Sequence, residues 1–203
     1  ALTIRHGWSK NVLMYPSIDD LVDNWAEIVF RNNNIPHRLN SVPLSAGEKQ
    51  QLVEQISALA TPADVQRFLQ GKETTIVRDN PDDAVHVGKL VSLKIFDPKE
   101  IAGGDSTYQI ARQPIMPRSH PRDKDRRGDF MLLIWGIPLI HVELKNLGHD
   151  VSEATGQIHK YLQSNIFRGL LNALQVFVGM TPNNMRYFAR PRNTEHLTDM
   201  FHF

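Results

Sequence analysis

Asp129, Glu143 and Lys145 are the residues of this sequence whose types and spacing suit chemistry. Asp129 heads one hydrophobic stretch, and Glu143-Leu144-Lys145 closes the next. Residues two apart on a strand share a face, so Glu143 and Lys145 point the same way and Leu144 is expected to point into the core. If the two stretches form a hairpin through Gly136, seven positions separate Asp129 from the turn and seven separate the turn from Glu143. The carboxylates then meet side by side. Two like charges at one place repel unless a cation lies between them, and oxygen donors without sulfur suit a hard ion, Mg²⁺ with Mn²⁺ as substitute. Such an ion polarises a phosphoryl oxygen and acidifies a water, while a nearby ammonium orients that water or offsets charge on a pentavalent phosphate. The chemistry implied is phosphodiester hydrolysis.

The elements that must position these groups can be read around them. Segments 130–135 and 139–145 flank Gly136-Ile137-Pro138 and read as a hairpin. A helix is expected over 152–170, with Ile158, Leu162 and Ile166 at four-residue spacing on its apolar side. Gln157 and Tyr161, also four apart, share another face aimed over the acidic hairpin, although a solvated polar face is the plainer account of such a pair. Segment 174–178 reads as a strand able to pair in parallel across that helix, and 185–189 as one more.

Upstream the pattern is helical and punctuated by caps. Ser17-Ile18-Asp19-Asp20 opens a helix carrying Leu21, Trp25, Ile28 and Val29, with Asn32-Asn33-Asn34 at its end. Ser45 and Glu48 spell a capping box ahead of Leu52, Ile56 and Leu59, and Thr61-Pro62 starts a short helix that stops at Gly71. Segment 91–96 alternates as a strand, with 107–113 as its expected partner across a turn at 97–105. The order of elements predicts an α/β fold built on a mixed sheet.

Composition bounds the rest. With 203 residues, 41% of them hydrophobic and 22% charged, and 23 Lys+Arg against 22 Asp+Glu, the chain is neither a fibre nor a disordered tail. Its longest apolar run, 130–140, falls well short of the ~20 residues that cross a bilayer, so no membrane partner is expected. The first residues lack an apolar leader and the chain has no cysteine, which predicts a cytoplasmic protein; position 1 is Ala, as in a fragment of a larger chain. Segment 118–127 holds five Lys/Arg against two Asp, making Arg118, Arg122, Lys124, Arg126 and Arg127 candidates for a phosphate-facing loop, though many such runs are solvated loops.

Two rival sites read less well. Asp83 with Asp97-Pro98-Lys99 repeats the acidic pattern, but Pro98 cannot donate to a ladder and a surface turn is expected there. His120, His141, His149 and His159 lack zinc-ligand spacing; His141, on the Glu143 face, is expected to border the acidic site or pack under it.

The run Arg127-Gly-Asp129 through Gly136-Ile-Pro138 to Glu143-Leu-Lys145, then Glu153-Ala154 and Gln157-Ile-His-Lys-Tyr161, Leu174-Gln-Val-Phe-Val178 and Arg186-Tyr-Phe-Ala189, resembles the N-terminal nuclease domain of type I restriction endonuclease R (motor) subunits, in the PD-(D/E)xK superfamily. The likeness is dense from about 126 to 189 and fainter upstream, at Leu39 to Glu48. It implies a restriction-endonuclease-like three-layer sandwich, a central mixed sheet flanked by helices, with an N-terminal helical part. One endonuclease domain is expected over 1–203, mainly helical over 1–80 and with its catalytic core over 85–190. Residue by residue, the resemblance makes Asp129, Glu143 and the Leu144 carbonyl ligands of Mg²⁺. Lys145 becomes the group that positions or activates water, and Gln157 and Tyr161 supporting catalytic residues. It further implies double-stranded DNA as substrate, motor domains downstream in the same chain, and methylation and specificity subunits as partners. ATP and S-adenosylmethionine would serve the full enzyme without binding to this part.

Gly128 departs from the proline common before the aspartate, Trp135 replaces the Asn of an Asn-Gly turn, and Thr155-Gly156 occupies usually bulkier helix positions. A further acid often found on the first helix of related nucleases is not assigned. The intact Asp-Glu-Lys set favours a nuclease over the same fold kept as an inactive module for DNA positioning or subunit docking.

Overall fold

The computed structural model of this chain describes residues 11–104, 106–118, 126–191 and 201–202. A short strand β1 (Val12–Met14) leads into three helices, α1 (Ile18–Asn33), α2 (Ala46–Ser57) and α3 (Pro62–Gln70), each begun by a capping box. Ser17, Ser45 and Thr61 accept from the third helical amide while Asp20, Glu48 and Asp64 reach back to the cap. Leu21, Trp25, Ile28 and Val29 are buried on one side of α1, as their spacing predicts. Glu48 does more than cap. Fully buried, its carboxylate accepts from the amides of Asp79 (2.7 Å) and Asn80 (3.1 Å) and from Arg78, which also meets Asp83 at 2.9 Å. This network pins the 78–89 loop to α2.

The strand at 91–96 is present as β3 (Leu90–Lys94), but its partner is not 107–113. It pairs antiparallel with β2 (Glu73–Val77), whose Thr-Thr-Ile-Val run is β-branched enough to have signalled a strand. The 97–105 segment is not a simple turn. Asp97 caps a short helix, α4 (Pro98–Gly103), that ends on left-handed Gly104 and carries the chain away from the hairpin. The free side of β3 is closed by Asn33, whose side chain accepts from Lys94 N and donates to Lys94 O.

The later strands are β4 (Tyr108–Arg112), β5 (Ile115–Met116), β6 (Arg126–Arg127), β7 (Phe130–Ile134), β8 (Ile137–Leu144), β9 (Val176–Met180), β10 (Met185–Ala189) and β11 (Phe201–His202). Seven strands make one sheet in the order β1-β4-β7-β8-β9-β10-β11, while β5 and β6 form a separate pair. The β1/β4 and β8/β9 pairs are parallel and the remaining neighbours antiparallel. The expected α/β class, with a mixed central sheet flanked by helices, is present. The crossover between β8 and β9 contains α5 (Val151–Gln163) and a 3-10 turn at Gly169–Ala173. Thus α5 stops seven residues before the expected end at 170, and Ile166 lies outside it; Asn165, with φ of 49°, ends the right-handed path.

Burial alternates along the sheet. Met131 and Leu133 of β7 and Phe177 of β9 are fully buried, whereas Leu132, Ile134, Val176 and Val178 are half-buried. The buried face lies under α1, α5 and the 3-10 turn. At Gly179 a Cβ would lie 2.8 Å from Thr155 Cγ2 and 3.1 Å from Ala154 Cβ, so only glycine lets α5 lie this close to the sheet.

Candidate active site

The hairpin joining β7 to β8 sets the site. Trp135 and Gly136 both have positive φ, 58° and 77°, the signature of a two-residue type I′ turn. A bulky residue is unusual at the first of these positions; here the indole is fully buried and Lys94 Nζ stands 5.2 Å from its ring centroid. Such a tight turn pairs Ile134 with Ile137 and Leu133 with Pro138, a register that would bring Asp129 opposite Val142. The register then shifts: Leu132 pairs with Ile140, Met131 with His141 and Phe130 with Val142. Leu139 is the extra residue of a β-bulge, beside a proline that has no N–H to give a central strand. One more step along the ladder places Asp129 against Glu143. The count of seven and seven therefore holds because the bulge restores the residue the tight turn removes.

At the open end of this hairpin the carboxylates lie beside α5. Asp129 Oδ2 accepts from Leu144 N at 2.6 Å. Glu143 is 1% exposed; its Oε2 accepts from Gln157 Nε2 at 3.0 Å, and its Oε1 lies 2.9 Å from His141 Nε2. Gln157 Oε1 accepts from Lys145 Nζ at 2.8 Å, and Gln157 Nε2 also donates to Tyr161 Oη at 2.7 Å. One amide thus touches Glu143, Lys145 and Tyr161. Burial above all, and then the charge of Asp129, push the Glu143 carboxyl up to about 9, with Lys145 pulling the other way. Burial, followed by the Glu143 charge, raises the Tyr161 phenol, and burial pushes His141 down to about 3.

Leu144 reverses expectation: it is 44% exposed, and the acid beside it is buried. The helices cover the face that carries His141 and Glu143, so the alternate residue turns to the other side. Gly128 is required by its neighbours. A Cβ there would fall 2.5 Å from Met116 Cε and 2.8 Å from His141 Cε1, which explains glycine where related proteins often carry proline. Gly156, in contrast, has open space around it.

Of the basic segment, Arg126 and Arg127 form β6 and lead directly into Gly128 and Asp129, while Arg122 and Lys124 lie outside the described residues. Arg127 stands 5.5 Å from the centroid of the half-exposed Tyr15 ring, a contact without a sequence signal. The carbonyl of Arg118 accepts from Arg168 Nη2 at 3.0 Å. Asp97 pairs with Lys94 as the cap of α4, and Asp83 with Arg78, so the rival acidic pattern is structural. His149 pairs with Glu153, and His159 lies against Phe188 with ring centroids 5.4 Å apart. His120 lies outside the described residues, among which no group of three or more His, Cys, Asp or Glu is placed to hold a metal ion. Asp129, Glu143, Gln157 Oε1, Tyr161 Oη and backbone carbonyls are oxygen donors at the site.

The family model describing the N terminus of type I restriction enzyme R proteins matches residues 19–196. The chain belongs to this family. The resemblance, dense from about 126 to 189 and fainter upstream, is borne out, and for this R-protein N-terminal domain the match extends through the capped helices. The endonuclease subunit of a type I restriction enzyme from Staphylococcus saprophyticus is 27% identical over 183 residues, 90% of this chain and 18% of that protein. One from Staphylococcus aureus strain MSSA476 has the same identity and coverage. The EcoprrI endonuclease subunit of Escherichia coli is 32% identical over 115 residues, 53% of this chain and 35% of that protein. The R-protein N-terminal domain thus spans under a fifth of the length of these staphylococcal relatives. Among the described residues, no helix is long and apolar enough to cross a membrane.

Proposed function

We propose that this domain is the nuclease of a type I restriction enzyme R subunit, hydrolysing phosphodiester bonds of double-stranded DNA with Mg²⁺, or Mn²⁺ in its place. The observation that carries the reading is that Gln157 joins Glu143 to Lys145 while Asp129, bound to the Leu144 amide, lies beside Glu143. The donor set fits a hard divalent cation. Two carboxylates converge, the buried one is opposed by its neighbour's charge, and every donor is oxygen. Asp129, Glu143 and the Leu144 carbonyl would hold the ion, which when bound supplies Lewis-acid polarisation of the phosphoryl oxygen and acidification of a water.

The chain's own residues do the rest. The Lys145 ammonium, held by Gln157 Oε1, orients the attacking water and offsets charge gathering on the phosphate. Gln157 fixes the spacing between Lys145 and Glu143 while Tyr161 buttresses its amide, and α5 shields Glu143 from bulk water. Arg118, Arg122, Lys124, Arg126 and Arg127 grip backbone phosphates, which binds DNA without reading its sequence. In the complete enzyme, recognition of unmethylated foreign DNA belongs to methylation and specificity subunits using S-adenosylmethionine. ATP-driven translocation belongs to motor domains beyond this segment, and the enzyme meets its DNA in the cytoplasm. The staphylococcal relatives, of which this chain spans 18%, have length for such domains.

The test replaces Asp129, Glu143 and Lys145 singly by Ala in the assembled enzyme. Cleavage is expected to vanish while ATP hydrolysis stays nearly intact, and retained cutting in any of the three refutes the assignment. Calorimetric titration with Mn²⁺ separates this reading from an inactive docking module, which would bind no ion at Glu143.

A further inference from the structure

His141 takes no part in the reaction just derived, yet it is completely buried and faces the acidic site. Its Nε2 lies 2.9 Å from Glu143 Oε1, and its Nδ1 has no partner. Around the ring stand Phe167, Tyr161 and Phe177, with centroids 5.2, 6.1 and 6.3 Å away. Gly128 Cα closes the remaining side, where even a methyl group would fall 2.8 Å from Cε1. The ring therefore has one orientation and one polar neighbour.

We propose that His141 is a positioning residue: its Nε2–H donates to Glu143 Oε1 and, with Gln157 on Oε2, holds that carboxylate in the single orientation that receives the divalent ion. With the ion bound, the carboxylate is ionised and only accepts, so the nitrogen facing it must then carry the hydrogen, and the bare Nδ1 is the one left among apolar rings. The two braces come from different elements, His141 from β8 itself and Gln157 from α5, and grip opposite oxygens. Neither oxygen can then rotate away when the site is empty, which lowers the cost of ordering the ligand on binding. The inference rests on the metal-dependent reading of Asp129 and Glu143.

The experiment measures Mn²⁺ affinity of the intact protein by calorimetry, with thermal unfolding alongside. His141→Leu removes the donor at similar bulk and is expected to weaken Mn²⁺ binding by about tenfold or more, the usual scale for losing a group that orients a metal ligand. His141→Gln places an amide N–H near the lost Nε2 and is expected to restore most of the affinity. Wild-type affinity in a folded His141→Leu protein, or failure of a folded His141→Gln protein to recover it, overturns the proposal. Nitrogen-15 NMR of the wild-type protein saturated with Mg²⁺ adds a readout independent of the variants: the neutral Nε2–H form of His141 is expected, and the Nδ1–H form overturns the proposal. Asp129→Ala is the control. If it too leaves Mn²⁺ affinity unchanged, the metal-dependent reading has failed, whereas loss of binding in Asp129→Ala beside wild-type binding in His141→Leu sinks the His141 proposal alone.

Discussion

The backbone amide of Leu144 donates to Asp129 Oδ2 across 2.6 Å, tying the head of one strand to the end of the next. This bond forms because the strands are in register at their open ends. That register depends on the bulge at Leu139, which lies about 13 Å of strand from Glu143 at a rise of ~3.3 Å per residue. Inserting one Ala after Leu139 gives the second strand one residue more than the bulge absorbs, which slides Asp129 toward Val142 and turns its partner to the other face. Mn²⁺ binding is expected to be lost and the domain destabilised, as read by calorimetry and urea unfolding. Unchanged affinity would show that the bulge does not set the site.

Gly156 and Gly128 make an opposed pair. Gly156 sits in the interior of α5 with nothing near the position of a Cβ, so Gly156→Ala should stabilise the protein by about 1 kcal/mol through helix propensity. Gly128→Ala drives a methyl group against Met116 and His141, and should lower stability and Mn²⁺ affinity together. Denaturant midpoints moving in the same direction for both variants would contradict these packing assignments.

The buried Asp83 predicts an acid-sensitive segment. Burial pushes its carboxyl up, but hydrogen bonds from Arg78, His86 and Asn40 outweigh that and hold it below the ordinary 3.8. A carboxyl lowered on folding contributes stability that is present above 3.8 and is lost as the pH falls through its folded value. Amide exchange in the 78–89 loop should therefore accelerate below about pH 4. Asp83→Ala, which leaves Arg78 buried with Glu48 as its remaining acid, should cost about 3–5 kcal/mol at neutral pH. A loss below 1 kcal/mol in urea titrations would show that the network contributes little.

Arg126 and Arg127 run directly into Asp129, and their positive charge is expected to meet DNA phosphates. Replacing both by Gln should weaken double-stranded DNA binding and reduce the slope of log affinity against log salt by about 2, one for each phosphate no longer neutralised. Fluorescence anisotropy over a salt series checks this, and an unaltered slope would make the pair part of a solvated loop.

How far the site was legible follows from where each signal resides. Caps, apolar periodicity and the turn at Gly136 are local, so α1, α2, α3 and the β7/β8 hairpin could be read from their own residues. So could the Gln157 and Tyr161 pair, because four positions on a helix always share a side. The pairing of β3 with β2 could not, since nothing in either strand encodes which partner lies alongside once α4 redirects the chain. The end of α5 at Gln163 was hidden because an apolar row runs on to Ile166 across an Asn in the left-handed region.

Sequence alone determined which groups could do chemistry and that two acids would close one hairpin. Tertiary structure decided their environment: which strand face the helices cover, and so why Glu143 is buried and Leu144 exposed. It also enclosed His141, which the sequence places on the Glu143 face, among Tyr161, Phe167 and Phe177. Burial and register depend on elements distant in the chain, and a carboxylate's charge, orientation and partners are properties of that assembled surrounding, not of its place in the sequence.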